Sequence, residues 1–262
     1  MLSSLRRLWR KRGPPPDSPP PPGPDPAHRI YAVGDVHGRH DLLEAMLWKI
    51  KQDARAQADE RQPILVFLGD LVDRGDNSRE VLDQVIAAWL SWPRTIVLRG
   101  NHEDALLSFL DAPEQGEAWL NYGGRQTFGS YGIPVPSDMP SADELHAAAA
   151  ALARAMQHHA DFLRKTETHF VSGHVVLSHA GLDPALPLVG QPSEAMIWGR
   201  SGFLDIGPPP GLRAVHGHWD APSPVVTRHR ICVDTGAYYT GRLTAVRLDA
   251  ETEVLSVDAL DL

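Results

Sequence analysis

The chain has 262 residues, 42% of them hydrophobic and 22% charged, the balance of an ordinary globular protein long enough for one large α/β domain. A formal net charge of −8 argues against a broad nucleic-acid-binding surface. The single cysteine, Cys232, cannot form an internal disulfide, so nothing points to an oxidising compartment and the cytoplasm is the expected location. Within Arg230-Ile-Cys-Val-Asp it reads as a small buried hydrophobe, not a reactive thiol.

The chain opens on a basic segment with Arg6, Arg7, Arg10, Lys11 and Arg12 and no acidic residue, followed by a proline tract from Pro14 to Pro26. Proline lacks a donor and stiffens the backbone, so residues 1–27 are expected to form a disordered, extended arm. No apolar run is long enough for a transmembrane helix. A sharper reading makes the arm a weak contact to an acidic membrane surface through Leu2, Leu5, Leu8 and Trp9 beside the five cations.

From His28 onward a pattern repeats. Short β-rich runs end abruptly in glycine plus a polar group. Arg29–Val33 runs into Gly34-Asp-Val-His-Gly38, Pro63–Leu68 into Gly69-Asp-Leu-Val-Asp-Arg-Gly75, and Thr95–Arg99 into Gly100-Asn-His-Glu103. Further on, Val175–Ser178 runs into His179-Ala-Gly181, Leu212–Val215 into His216-Gly-His218, and Arg230–Val233 into Asp234-Thr-Gly236. Between the first three lie segments with helical spacing: Leu42, Leu43, Met46, Leu47 and Ile50, then Val81, Leu82, Val85, Ile86 and Trp89. Alternating strand and helix predicts right-handed βαβ units with parallel strands, whose carboxyl ends share one edge where ligands bind.

Each motif alone has a bland explanation. Gly-Asp after a strand is commonly a turn, and Asn-His commonly caps a helix. Five in this order, each at a strand end, are not explained by capping.

Together these motifs resemble the phosphoprotein phosphatase family of the calcineurin-like metallophosphoesterases, and most closely its bacterial and phage-type serine/threonine members. The carriers are GDVHG at 34–38, GDLVDRG at 69–75, GNHE at 100–103, HAG at 179–181, GH at 217–218 and the segment Trp198-Gly-Arg200. The resemblance covers 28–262, expected to be one catalytic domain. It implies an α/β fold, a β-sandwich flanked by helices in four α/β/β/α layers, with a helical cap insertion. It implies two divalent metal ions, Asp35 and His37 binding the first, Asp70 bridging, and Asn101, His179 and His218 binding the second. His102 would be the general acid, oriented by Asp73, and Arg74 and Arg200 would hold phosphate oxygens. The implied reaction is hydrolysis of phosphomonoesters on phosphoprotein or phosphopeptide substrates by direct attack of a metal-bridging hydroxide. One departure stands out: the Gly-His of the last motif is followed by Trp219 and Asp220, not by Thr-Pro or a second His. Asp220 is left unassigned, and His216 reads as a packed or supporting residue.

The residue types suit that chemistry. Two cations neutralise phosphate, clamp an in-line displacement and acidify a bound water. Mixed imidazole, carboxylate and amide donors fit Mn²⁺, with Fe or Zn also compatible, better than Ca²⁺. An imidazolium beside the leaving alkoxide supplies its proton, and a carboxylate raises that imidazole's pKa and fixes its tautomer. Guanidinium groups fork onto phosphate oxygens. No phosphoenzyme is needed, and Cys232 lacks the Cys-x₅-Arg setting of cysteine phosphatases.

Residues 104–170 are long for a connector. A helix continues through Leu106, Leu107 and Leu110; Trp119, Tyr122, Gly123 and Gly124 follow; Ala142–Lys165 reads as an Ala-rich helix. The segment is expected to be a cap beside the metal edge or a plain packing layer. His158 and His159 on it are expected to be exposed rather than metal-binding. Arg242–Val246 and Val254–Val257 read as a terminal hairpin. Two other functions compete. A symmetrical bis(5'-nucleosyl)-tetraphosphatase shares the metal motifs but typically lacks the Asp at position 73 and carries GNHD, so Asp73 and Glu103 favour the protein phosphatase. A non-catalytic metal-binding scaffold should have lost catalytic groups, and none is missing.

Overall fold

In the computed structural model residues 22–57 and 59–262 are described. The strands are β1 (His28–Val33), β2 (Gln62–Phe67), β3 (Thr95–Val97), β4 (His169–Ser172), β5 (Val175–Ser178), β6 (Arg213–His216), β7 (Val225–Val226), β8 (Arg230–Cys232), β9 (Arg242–Leu248) and β10 (Thr252–Asp258). The helices are α1 (His40–Ala56), α2 (Ser78–Ser91), α3 (Asn101–Asp111), the turn α4 (Glu117–Trp119), α5 (Arg125–Ser130), α6 (Ala142–Ala155), α7 (Gln157–Leu163), α8 (Ser193–Trp198), α9 (Phe203–Ile206) and α10 (Ala237–Thr240).

The strands make two sheets, ordered β10-β9-β1-β2-β3 and β4-β5-β6-β8-β7. Within them β1, β2 and β3 are parallel, as are β5, β6 and β8. The βαβ reading holds for β1, β2 and β3, joined through α1 and α2, but the six motif strands are divided three and three. The terminal hairpin forms as β9 and β10 and attaches antiparallel to β1.

Alternation along the strands builds the layers. Ile30 and Ala32 of β1 and Ile64 and Val66 of β2 meet Val175, Leu177, Val215 and Ile231 of the second sheet in a dry seam. Their neighbours Tyr31, Val33, Leu65 and Phe67 face the other way, onto Leu42, Leu43, Met46 and Ile50 of α1 and Val81, Leu82 and Val85 of α2. On the far face Val176 and Ala214 pack against Met196 and Phe203 of α8 and α9. Helices, sheet, sheet and short helices give the four α/β/β/α layers.

Three local expectations change. Trp89 is about half exposed and lies edge-on to Phe162, outside the core stripe of α2. The long Ala-rich helix breaks at Met156 into α6 and α7, whose Leu145, Leu152 and Leu163 join the core beside α3. His159 is fully buried, hydrogen-bonded to Tyr131 and Asp83, while His158 is exposed as expected.

The basic stretch through residue 21 lies outside the described residues. Residues 23–27, read as the end of the arm, are tied to the β4–β5 turn: Asp25 N–H donates to Ser172 Oγ at 3.0 Å and His174 N–H to the Gly23 carbonyl at 3.0 Å. Among the described residues no helix is long and apolar enough to cross a membrane.

The sheets come closest where β1 ends. A Cβ on Gly34 would lie 2.4 Å from the Val233 carbonyl oxygen, on backbone that cannot step aside. Gly34→Ala is expected to lower stability by about 2 kcal/mol in urea unfolding. Gly129→Ala, where a Cβ in α5 meets nothing, is expected to be neutral or stabilising by up to about 1 kcal/mol.

Candidate metal centre

The turns after β1, β2, β3, β5 and β6 meet at one edge of the sandwich. Five non-glycine residues there have positive φ: His37 (46°), Asp70 (49°), Asp73 (71°), Arg74 (68°) and His218 (61°). No other described non-glycine residue does. Such conformations cost of order 1–3 kcal/mol each and persist where the surroundings over-determine them. Glycines make the packing of these turns possible. A Cβ on Gly217 would lie 1.8 Å from Asp35 Oδ1, and one on Gly100 2.1 Å from Asp70 Oδ1.

Asp70 is the centre of the cluster. Its Oδ2 lies 3.5 Å from His37 Nε2 and 3.9 Å from His102 Nε2, and its Oδ1 lies 3.4 Å from His179 Nε2. One carboxylate thus faces two imidazole groups on opposite sides. The groupings His37–Asp70–His102 and Asp70–His179–His218 are each compact enough to hold a cation. Asn101 Oδ1 lies 3.0 Å from His179 Nε2 and 2.8 Å from His218 Nδ1.

Hydrogen bonding fixes which ring nitrogens face inward. A backbone carbonyl only accepts, so His37 Nδ1–H donates to Val72 O at 2.9 Å and His179 Nδ1–H to Leu68 O at 3.0 Å. Their Nε2 atoms are left aimed at carboxylate and amide oxygens. Asp35 Oδ1 is buried with no hydrogen-bond partner, while Oδ2 accepts from the His218 backbone N–H at 3.0 Å. A buried carboxylate oxygen without a hydrogen-bond partner, beside imidazole, carboxylate and amide donors that converge on one place, is the complement of a cation, so the residues present fit a divalent metal.

The charges follow the same logic. Burial, then Asp234 and Asp70, pushes the Asp35 carboxyl well above the usual range. Burial lowers His37 to about 3 and His218 to about 4, keeping both neutral as ligands must be. Burial opposes charge on Asp70, yet His179 and His102 hold its carboxyl well below the usual range. His102 is likewise opposed by burial, but Asp70 and Asp73 raise it above an ordinary histidine.

His102 Nδ1 sits 2.7 Å from Asp73 Oδ2. Asp73 is fully buried and accepts from Trp119 Nε1–H at 2.7 Å and Thr127 Oγ–H at 2.5 Å. Its own N–H lies 3.0 Å from Ser78 Oγ and 3.1 Å from Thr127 Oγ1. Segment 113–130 therefore reaches the site. The Arg74 guanidinium lies over the Tyr238 ring at 4.9 Å and its N–H donates to Gly123 O at 3.2 Å. Gly123 carries φ 118°, and a Cβ there would press on Arg74 backbone at 2.8 Å.

Arg200, expected to hold phosphate oxygens, is engaged by carboxylates. Its guanidinium pairs with Glu194 at 3.2 Å and lies 3.9 Å from Asp183. Asp220 accepts from Tyr239 at 2.5 Å and is one of the charges that raise Asp234. His216 is packed on Phe203, with Nδ1 2.8 Å from Gly217 O. Cys232 is buried and its thiol is pushed up to about 12 by burial.

Several contributors were given no structural role in the sequence reading, Glu103 having served only to separate the two substrate classes. Glu103 accepts from the backbone N–H groups of Gly100, Asp70, Leu71 and Val72 at 2.7–3.3 Å and so clasps the Asp70 turn onto α3. Asp234, pushed up to about 6 chiefly by burial, interacts with Asp35. Its position at a strand end was the available signal. Trp119 and Thr127 offered none, since their partner lies 46 and 54 residues away.

Comparison with known proteins agrees with this geometry. The family model for calcineurin-like phosphoesterases matches residues 28–221. Serine/threonine-protein phosphatase 1 of Salmonella typhimurium is 34% identical over 95 residues, 36% of this chain and 38% of that protein. The phosphatase relatives of this kind are matched over 12–38% of their own lengths. The symmetrical bis(5'-nucleosyl)-tetraphosphatase of Methylococcus capsulatus is 27% identical across 88% of this chain and 95% of its own. A yeast protein serine/threonine phosphatase (Saccharomyces cerevisiae) similar to human phosphatase PP5 shares the fold, with a TM-score of 0.54, 15% identity, and coverage of 92% of this chain and 84% of that one.

Buried His216 generates a test of the packing beneath the cluster. Burial lowers its pKa to about 3, against about 6.5 unfolded. The unfolded chain binds the extra proton between these values, so stability falls as pH drops below about 6.5, by up to about 1.4 kcal/mol per unit from this group. His216→Gln is expected to flatten the difference between urea unfolding at pH 7.5 and pH 5.5; an unchanged difference would remove His216 from this account. With its strand-end donors gathered around Asp70 and its motifs in order, the chain belongs to the calcineurin-like phosphoesterase family.

Proposed function

We propose that the protein is a metal-dependent serine/threonine protein phosphatase. The observation that carries this reading is the His102–Asp73 pair, 2.7 Å apart and held by Trp119 and Thr127 beside Asp70. Asp35, His37 and Asp70 would hold one cation, and Asp70, Asn101, His179 and His218 a second. Mn²⁺ fits this donor set, as do Fe and Zn. When bound, such a pair neutralises phosphate charge and makes a nucleophile of water.

The chain's own groups do the rest. Arg74 would present its guanidinium to the phosphate, steadied by the Tyr238 ring. Arg200 reaches the phosphate only by leaving Glu194 and Asp183. Asp73 accepts from His102 Nδ1, which leaves Nε2 as the proton-donating atom facing the centre. The leaving serine or threonine oxygen would take that proton. A cavity of about 420 Å³ opens beside His102, walled by Phe109, Trp119, Tyr122 and Trp198, and gives the leaving side chain and its flanking peptide somewhere to sit.

A second reading is symmetrical dinucleoside tetraphosphate hydrolysis, favoured by the relative of that name matched along 88% of the chain. Aromatic walls suit a nucleobase as well as a peptide. A phosphoanhydride, though, has a better leaving group and less need of the buried His102–Asp73 pair.

Metal-stripped protein restored with Mn²⁺ is expected to release phosphate from a phosphoserine or phosphothreonine peptide faster than it cleaves diadenosine tetraphosphate. His102→Asn is expected to cut peptide turnover by about 10²–10⁴-fold, and Asp73→Asn by about 10–100-fold. Faster cleavage of the dinucleotide would overturn the substrate class. Full peptide turnover by the His102 variant would overturn the acid role.

A further inference from the structure

Away from the centre, helix α2 and helix α7 bring Asp83, His158 and His159 together. His159 Nε2 lies 3.0 Å and His158 Nε2 3.8 Å from the same oxygen, Asp83 Oδ1. The two imidazole rings lie 3.8 Å apart between centroids, tilted by 41°. One donor atom from each residue falls within 4.8 Å of the others.

We propose that these three residues form a separate binding site for a borderline divalent cation such as Zn²⁺. Metal–donor distances of about 2.0–2.1 Å place tetrahedral donors roughly 3.3 Å apart. The observed 3.0 and 3.8 Å bracket that spacing, and the long one belongs to the exposed, adjustable His158. A hydrogen bond between His159 and Asp83 would need no second imidazole on the same oxygen. Two nitrogens and one carboxylate leave a fourth position open to water, and imidazole donors select Zn²⁺ over Mg²⁺ or Ca²⁺.

The inner side of the site is already built as a support for a ligand. His159 is fully buried, and its other nitrogen, Nδ1, sits 2.5 Å from the buried Tyr131 hydroxyl. With a metal on the Nε2 lone pair the neutral ring carries its proton on Nδ1, and that hydroxyl can accept from Nδ1–H, the outer partner that ligating histidines require. Burial and the neighbouring His158 lower the pKa of His159, favouring its neutral, ligating form. On α2 one turn before Asp83, Arg79 opposes a cation and Glu80 offsets it.

The position gives the site a use. Asp83 lies on α2, which begins at Ser78; Tyr131 ends α5, which carries Thr127; His158 and His159 lie on α7. Ser78 and Thr127 both hold Asp73. A cation here would clip α7 to α2, with Tyr131 at the end of α5 hydrogen-bonded to His159 behind it, tightening the protein without touching the reacting groups.

The test compares wild type with Asp83→Asn and His158→Ala. Both side chains are more than half exposed, so the variants keep the fold. All three proteins are stripped with chelator, equilibrated with micromolar Zn²⁺, desalted, and their metal counted by plasma mass spectrometry. Wild type is expected to retain one more equivalent per chain than either variant, whatever the central cluster holds. Zn²⁺ at a hundredfold excess over its Kd is expected to raise the thermal midpoint of wild type about 5 °C beyond its effect on the variants. Equal metal content in all three proteins, or an extra equivalent seen only at millimolar Zn²⁺, would overturn the proposal. Loss of phosphatase activity would not bear on it, because the count is read by difference.

Discussion

Everything at the sandwich edge is arranged around one electrostatic conflict. Asp35, Asp70, Asn101, His37, His179 and His218 crowd carboxylate, amide and imidazole donors into one largely buried cluster, where Asp35 Oδ1 has no hydrogen-bond partner. Such atoms repel unless a cation lies between them, and the low local dielectric makes the repulsion stronger. The fold holds them there regardless. Carbonyls of Val72 and Leu68 turn the imidazole rings, five side-chain-bearing residues accept left-handed backbone, and glycines at 34, 100 and 217 leave no slack. Strain concentrated in this way belongs to a preorganised site, in which the protein's reorganisation is completed before substrate arrives.

That preorganisation extends outward through a second set of contacts. Glu103 clasps the Asp70 turn by its backbone N–H groups, and Asp73 is gripped by Trp119, Thr127 and Ser78. The long insertion after α3 divides accordingly. Helices α6 and α7 are a packing layer over α2 and α3, whereas residues 113–130 reach in to hold Asp73 and Arg74 and to wall the cavity.

Much of the chemistry was legible from local spacing. A strand followed at once by Gly-Asp-x-His or Gly-Asn-His places its polar groups at a carboxyl edge whatever the neighbouring strands do, and period-3.6 spacing identified α1 and most of α2. Trp89 misled because its spacing matched the stripe, whereas its ring lies half exposed against Phe162 of α7. His159 misled because a histidine on a polar-looking helix carries no mark of the tyrosine and aspartate that will meet it.

The sequence by itself placed the polar motifs at strand ends, because these depend on contacts within a few residues, and the order of those motifs carried the resemblance to the family that the chain belongs to. Only the tertiary structure decided that six motif strands divide between two facing sheets, since a strand covered on both faces reads as the same apolar run in either. It alone decided that Trp119 and Thr127 hold Asp73, that Glu103 clasps the Asp70 turn, that Asp234 lies beside Asp35 and that Arg200 pairs with Glu194. Each of these, apart from the Arg200 pair, joins positions dozens to hundreds of residues apart, and Arg200 is directed by a loop whose path is set by packing. Proximity of that kind is created by the closing of the sandwich, so no window of sequence contains it.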